Sequence, residues 1–541
     1  MLAGSTRAQR PDPAHVAADV PYRAWHDRAT IADEGDKSVT ATLPTATVEL
    51  DPQRHRGPID RRLFGSFVEH MGRGIYTGLY EPTHATADAF GFRQDVGELI
   101  DELGVTVIRY PGGNFVSGYD WRDGIGPKET RPRRLDPAWR TIETNQIGTD
   151  EFLQWASRRG IQPMMAVNLG TAGVTSAASL VEYCNIAGGT SWSDLRRQHG
   201  AADPYGVSLW CLGNEMDGSW QLGHKDAEHY SALAAETGKA MKYVDPTIEL
   251  IACGSTSDAE PTFGYWDSTV LERCWETIDF ISMHGYYYER DGDRRSFLAS
   301  GAHMGEYIEG IAASIDAVGA RKHSRKRIGI SFDEWNVWNQ PMFPGPTTMP
   351  IDVGGPRLEA VYSTLDAVVV GDLISSLLNH SDRVAIGCQA QLVNVIAPIA
   401  TEAGGPAWRQ TIFYPMTTAA GLARGNSLQA LVRVDSLATA RYGDVPGLAV
   451  AASHDTETGE VAVFLTNRTE SELVVNLGCR AFDTVAVRSA VVIAADQRGL
   501  LARNDAASAA PKSLTASADG AAVSVILPAE SWSALALQTT S

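Results

Sequence analysis

Cysteine is scarce in this chain. Six cysteines in 541 residues (Cys184, Cys211, Cys253, Cys274, Cys388 and Cys479) are too dilute for a disulfide scaffold. No CxxC pair or Cys/His cluster marks a metal site, so the expectation is no metal and no cofactor. Most of them sit in apolar runs, which reads as buried, reduced thiol. Basic charge is also short. Lys and Arg total 46 against 65 Asp and Glu, a formal charge of −19. That balance argues against nucleic acid as a partner, because phosphate contacts need clustered cations. A neutral substrate fits the field best. No stretch approaches the roughly 20 apolar residues needed to span a bilayer, so no membrane association is expected. The N-terminus lacks the continuous apolar segment of a secretory signal. These absences together predict a cytoplasmic protein.

Apolar residues make up 44% of the chain and charged residues 21%, close to the globular average. Residues 1–45 are rich in Ala, Asp, Pro and Arg without periodicity and read as a mobile N-terminal extension. A strand signal at Ala46–Leu50 opens a 46–62 segment, read as joining the C-terminal β domain. Eight short apolar runs then follow at a mean spacing of about 46 residues, starting near Leu63, Val105, Gln162, Val207, Glu249, Ile278, Arg327 and Val384. Amphipathic stretches such as Arg93–Leu103, Thr149–Arg159 and Ala227–Tyr243 lie between them. Apolar strands alternating with helices indicate βαβ units and a parallel sheet. Eight units fit a (β/α)₈ barrel over residues 63–400. A doubly wound sheet is the alternative, but its phosphate-binding GxGxxG turn is missing: the first turn reads VEHMGRGIYTG. After about Pro398 short alternating strands separated by Gly, Asn and Asp turns predict an all-β sandwich over 401–541, with the Ala/Ser-rich 502–520 as a long turn.

Barrel enzymes place chemistry at the C-terminal ends of their strands. The fourth candidate strand ends in Cys-Leu-Gly-Asn-Glu (Cys211–Glu215), the seventh in Phe-Asp-Glu-Trp-Asn (Phe332–Asn336). Their glutamates are 119 residues apart, three βα units, which lets them face each other across the barrel mouth. Hydrolysis of a glycosidic bond needs such a pair, one group to protonate the leaving oxygen and one to meet the developing oxocarbenium ion. A lone Glu more often pairs with an Arg. Two Glu at matching strand ends weaken that reading.

These motifs resemble the retaining glycosidases built on (β/α)₈ barrels, and the α-L-arabinofuranosidases of glycoside hydrolase family 51 in particular. The similar segments are Phe64–Glu81, Arg109–Gly126, Cys211–Gly223, Ser282–Tyr287, Phe332–Trp338 and Ala390–Pro398. The resemblance implies a TIM barrel followed by a jelly-roll-like β-sandwich. It also implies removal of terminal arabinofuranosyl units from arabinan- or arabinoxylan-derived oligosaccharides, and a homo-oligomer, a hexamer by the family's habit. An endo-β-glucanase or β-xylosidase of related construction is the alternative. Carried over by position, Glu215 is the acid/base and Glu334 the nucleophile. Glu69, Asn114, Asn214, Tyr286 and Gln391 bind substrate, with Tyr287 or Tyr288 and Gln389 as neighbouring alternatives. Arg109 and His284 would support the nucleophile or simply form a structural network, and Trp139 and Trp338 would stack on sugar or pack the core. The acid/base should be the carboxyl with the raised pKa, and the two carboxyls should stand about 5–5.5 Å apart. Two features depart from the family pattern beside the N-terminal extension: Ser219 replaces an expected proline, and Arg290–Arg295 (RDGDRR) is unusually charged.

Overall fold

The computed structural model describes residues 43–343, 345–494 and 510–540; residues 1–42 of the N-terminal extension and 502–509 of the Ala/Ser-rich turn lie outside them, and the rest of that expected turn is not one, since Lys512–Ser513 and Ala516–Asp519 pair as strands. Eight parallel strands close a barrel: β1 (Gly65–Phe67), β2 (Val107–Tyr110), β3 (Gln162–Ala166), β4 (Leu209–Leu212), β5 (Glu249–Ala252), β6 (Phe280–Tyr287), β7 (Gly329–Val337) and β8 (Val384–Ala390), with β8 pairing back onto β1. Each begins within two residues of its sequence-derived start. A strand buried on both faces must be apolar throughout, so the signal is strong despite its shortness. Phe67, Val107, Met164, Leu209, Cys211, Ile251, Phe280, Ile386 and Cys388 fill the barrel interior.

Helices Gln94–Leu103, Thr149–Arg158 and Ala227–Val244 cover the outside as the amphipathic stretches predicted. The helix Thr364–Asn379 differs, being buried almost all round, which is why its sequence shows no polar stripe. It lies between the barrel and the sheets that follow. Gly371 there allows the Trp532 ring to approach so closely that a Cβ would meet it at 2.2 Å. Asp372 on the same helix accepts from the buried Arg468 Nη2 with both carboxylate oxygens, at 2.9 and 2.8 Å.

A five-stranded and a seven-stranded sheet follow, and Val48, Leu428, Val450, Val463, Val475, Val525 and Leu535 from both share one core. Thr45–Glu49 runs parallel to Leu473–Gly478 in the smaller sheet, and His55–Pro58 pairs with Asn426–Leu428 in the larger. One element contradicts the wholly β reading of this region: Phe413–Leu422 is a helix. Its sequence, FYPMTTAAGL, has no charged face to betray a helical period, and its proline sits in the first turn, where a missing N–H costs nothing.

Candidate active site

The ends of the barrel strands deliver the chemistry. At the end of β4, Gly213 (φ +93°) turns the chain, a conformation that glycine takes without a Cβ penalty. Glu215 itself adopts φ +45°, a left-handed conformation that costs a non-glycine residue about 1–3 kcal/mol and that functional sites tolerate. On β7, regular alternation would send Asp333 and Glu334 to opposite faces. The β7–β8 register shifts between Phe332 and Trp335, and the β6–β7 register between Ser282 and His284. Both acids thereby reach the barrel centre, buried at 1% and 5% exposure.

Arg109, at 1% exposure, is the hub. Its Nη1 donates to Glu334 Oε1 at 2.6 Å, its Nε stands 3.6 Å from Asp333 Oδ2, and its Nη2 donates to Asn214 Oδ1. The guanidinium lies over the Phe67 ring. His284, beside Glu334 in the β6–β7 register, places Nδ1 2.9 Å from Glu215 and 3.7 Å from Glu334, and Nε2 3.3 Å from Asp333. Burial alone would lower its pKa. The carboxylates of Glu334, Asp333 and Glu215 overcome this and hold the ring protonated, with a pKa of about 10. Asp333 is driven up by burial but held below its ordinary value by the charge of Arg109 and the bond from His284.

A carboxylate oxygen of Glu215 and one of Glu334 lie within 4.8 Å of each other and of a His284 ring nitrogen. Three such donors could in principle enclose a metal ion. Here His284 already donates its proton to Glu215 and Arg109 caps Glu334, so the set is an internally compensated ion-pair network and fits no resident metal. Glu215 accepts a second bond, from Trp220 Nε1 at 2.6 Å. Burial pushes Glu215 up, yet the hydrogen bond and charge of His284, aided by Trp220, bring it below its ordinary value. The expected raised pKa on Glu215 is therefore corrected: a charged imidazole, invisible in the linear sequence, reverses the sign.

Glu69 is the carboxyl that burial does raise, to about 8, against bonds from the Phe115 N–H and Trp139 Nε1. Its other oxygen accepts from Gln391 at 3.1 Å. Tyr286 Oη donates to Glu334 Oε2 at 2.8 Å, whereas Tyr287 packs against His303 and Tyr288 lies under Arg290. Gln389 bonds Asn336. An open cleft of about 860 Å³ exposes Glu69, Asn114, Asn214, Glu215, Tyr286, Glu334 and Gln391 together, with Trp139 and Trp338 in its wall. Among the described residues Asn114 Oδ1 and Gln391 Oε1 are buried there with no protein donor. Such acceptors are open to a donor from water or a bound molecule, and sugar hydroxyls can supply one.

Comparison with known proteins agrees with this geometry. Residues 99–297 match the family model for the α-L-arabinofuranosidase 1 domain, and residues 333–531 that for the α-L-arabinofuranosidase C-terminal domain. The chain is 48% identical, over 83% of its length and 90% of the relative's, to an intracellular exo-α-(1→5)-L-arabinofuranosidase of Bacillus subtilis. This chain belongs to the α-L-arabinofuranosidases of glycoside hydrolase family 51. An exo-α-(1→6)-L-arabinofuranosidase of Bifidobacterium longum is likewise 48% identical, over 91% of this chain and 97% of that one. A solved family 51 α-L-arabinofuranosidase from the same organism superposes with a TM-score of 0.88 at 40% identity, covering 92% of this chain and all of that one.

Of the eleven residues first named from sequence, nine line the cleft of this family 51 barrel, and Arg109 and His284 bond Glu334 and Glu215 there; the alternatives Tyr287, Tyr288 and Gln389 do not line it. Sequence reasoning missed two participants. Asp333 stands inside the FDEWN motif, but strand alternation assigns it to the wrong face. Trp220 follows Ser219 in the loop after Glu215, and no periodic signal marks it.

Proposed function

We propose that this protein is a retaining, exo-acting α-L-arabinofuranosidase that removes terminal non-reducing arabinofuranosyl units from arabinan- or arabinoxylan-derived oligosaccharides. The observation that carries this reading is the approach of Glu215 and Glu334 to within 4.8 Å at the barrel mouth. That is closer than the ~6.5–9.5 Å an inverting enzyme needs to seat a water between its carboxyls. In the first step Glu334 attacks the anomeric carbon while Glu215 gives its proton to the departing oxygen. In the second, Glu215 deprotonates water, which cleaves the furanosyl–Glu334 bond and restores both groups. Arg109 and Tyr286 hold the Glu334 carboxylate in line. Glu69, Asn114, Asn214 and Gln391 direct hydrogen bonds at the furanose hydroxyls.

The relatives at 48% identity are named as arabinofuranosidases, which favours this activity over the endo-β-glucanase or β-xylosidase alternative. Their names carry 1→5 and 1→6 linkages, so both belong in the assay. Among the described residues no helix is long and apolar enough to cross a membrane. The intracellular names of relatives support a cytoplasmic site of action, and a hexamer is the assembly to test by light scattering. The decisive experiment is Glu334→Ala. It should reduce turnover of a nitrophenyl α-L-arabinofuranoside by several orders of magnitude, and azide should restore it by forming the inverted glycosyl azide. Hydrolysis of a β-glucoside or β-xyloside with the arabinofuranoside untouched would overturn the assignment.

A further inference from the structure

The charged Arg290–Arg295 segment stands at the rim of the cleft. Four of its five charges are drawn outward to the C-terminal sheets and their connections. Arg441 pairs with Asp291 at 2.9 Å and reaches Asp293 at 4.0 Å, Arg294 meets Glu530 at 3.6 Å, and Arg295 meets Glu470 at 3.0 Å. Arg441 belongs to a hairpin formed by Ser436–Thr439 and Gly443–Pro446, and its backbone N–H donates to Ser296 Oγ. The hairpin thus occupies the two carboxylates that follow Arg290 in this segment.

Arg290 is the charge left over. It is exposed and lines the cleft that holds Glu215 and Glu334. Its guanidinium carbon lies 4.8 Å from the centre of the Tyr288 ring, a cation–π contact that uses none of its N–H donors. Among the described residues it makes no ion pair or hydrogen bond, although acids outnumber bases by 19 in this chain. Neither Glu289, its neighbour in sequence, nor Glu260, which lines the same cleft, pairs with it. His224, also exposed, adds a second basic group to the lining.

We propose that Arg290 seats a carboxylate on the departing oligosaccharide, so that arabinofuranosyl units carried by uronic-acid-bearing chains are preferred over those on neutral chains. A planar guanidinium matches a carboxylate through two parallel hydrogen bonds, which a hydroxyl pair cannot equal in charge. The assignment puts the leaving group on the Arg290 side of the cleft and rests on the arabinofuranosidase reading above.

The test compares kcat/KM for an arabinofuranosyl-substituted xylo-oligosaccharide with that for the same compound carrying a neighbouring glucuronic acid. The wild type should favour the acidic substrate about tenfold at about 20 mM ionic strength, and less at about 200 mM as screening shortens the reach of the charge. Arg290→Gln should bring the ratio of acidic to neutral substrate to about one, Arg290→Glu should take it below one, and Arg290→Lys should leave an intermediate preference. Because Arg290 is exposed, the variants should keep the thermal midpoint of the wild type. A wild-type ratio at or below one, or a ratio unchanged in Arg290→Gln, overturns the assignment of Arg290 alone. A wild type inert on both arabinofuranosides overturns the activity on which the assignment rests.

Discussion

Replacing Arg109 by Met removes the one guanidinium that faces both Asp333 and Glu334 and keeps much of the side chain's volume. The lost contacts are the 2.6 Å bond to Glu334, the 3.6 Å pairing with Asp333 and the bond to Asn214, all at about 1% exposure of the arginine. Removing one partner of a buried ion pair costs about 3–5 kcal/mol, because the other charge stays buried. With an unfolding entropy of roughly 1 kcal/mol/K for about 500 residues, 4 kcal/mol lowers the thermal midpoint by about 4 °C. The pH dependence carries the sharper signature. In the wild type Asp333 is held below its ordinary value, so its stabilisation is complete above the unfolded pKa of about 3.9 and is lost only as pH falls through the folded value. This group therefore leaves wild-type stability flat between pH 5 and 7.

Without Arg109, His284 and Ser282 remain to oppose burial, the largest influence on Asp333. The expectation is that burial then carries this carboxyl above its unfolded value and the folded variant takes up a proton. A folded-state pKa above the unfolded one stabilises at low pH and loses about 1.4 kcal/mol for each pH unit climbed toward the folded value. Up to about 2.7 kcal/mol of the defect should therefore be recovered on going from pH 7 to pH 5, shrinking the 4 °C gap to about 1–2 °C. Calorimetry at both pH values measures this directly. Turnover should fall by about 10²–10³, the usual consequence of removing a donor aimed at reacting charge. A gap below about 1 °C, or one equal at the two pH values, refutes the account of Arg109 as a group that keeps Asp333 ionised.

Two further substitutions probe other parts of the structure. Trp220→Phe removes the 2.6 Å bond that favours the ionised form of Glu215; the alkaline limb of kcat/KM should move up by as much as about one pH unit, and an unmoved limb in a pH–rate profile would show that Trp220 does not tune this group. Arg468→Met strips the buried Asp372 of its arginine partner between the barrel helix and the sheets, so thermal unfolding should shift down by about 3–5 °C while kcat stays within about twofold. A selective loss of kcat without a thermal shift would contradict the structural role.

Legibility in the sequence followed the physics of each element. The eight barrel strands were readable because parallel strands with both faces covered must be apolar runs, and eight of them alternating with helices fit a closed barrel. The helix Phe413–Leu422 was not, since its less buried positions carry Tyr, Thr, Gly and Leu and no charge to set a period. Glu215 and Glu334 were readable as strand-end acids. Asp333 was hidden because the rule that hides it, alternation along a strand, is broken by a register shift that depends on the neighbours β6 and β8.

The protonation of the acid/base shows where one-dimensional reasoning stops. Two carboxyls known to face each other predict that one keeps its proton by repulsion and burial. That inference is sound for an isolated pair. The fold supplies a third group: the β6–β7 register sets His284 opposite Glu334, and the strand end brings Glu215 within 2.9 Å of the same imidazole. The ring then carries a proton that lies one hydrogen bond from Glu215 and that the three surrounding carboxylates hold in place. Protons in such a network belong to the group as a whole. A leaving oxygen arriving beside Glu215 competes with both His284 and Trp220 for that carboxyl. On this geometry, aglycone entry must weaken these bonds before Glu215 can act as an acid, and the energy for doing so comes from sugar contacts made elsewhere in the cleft.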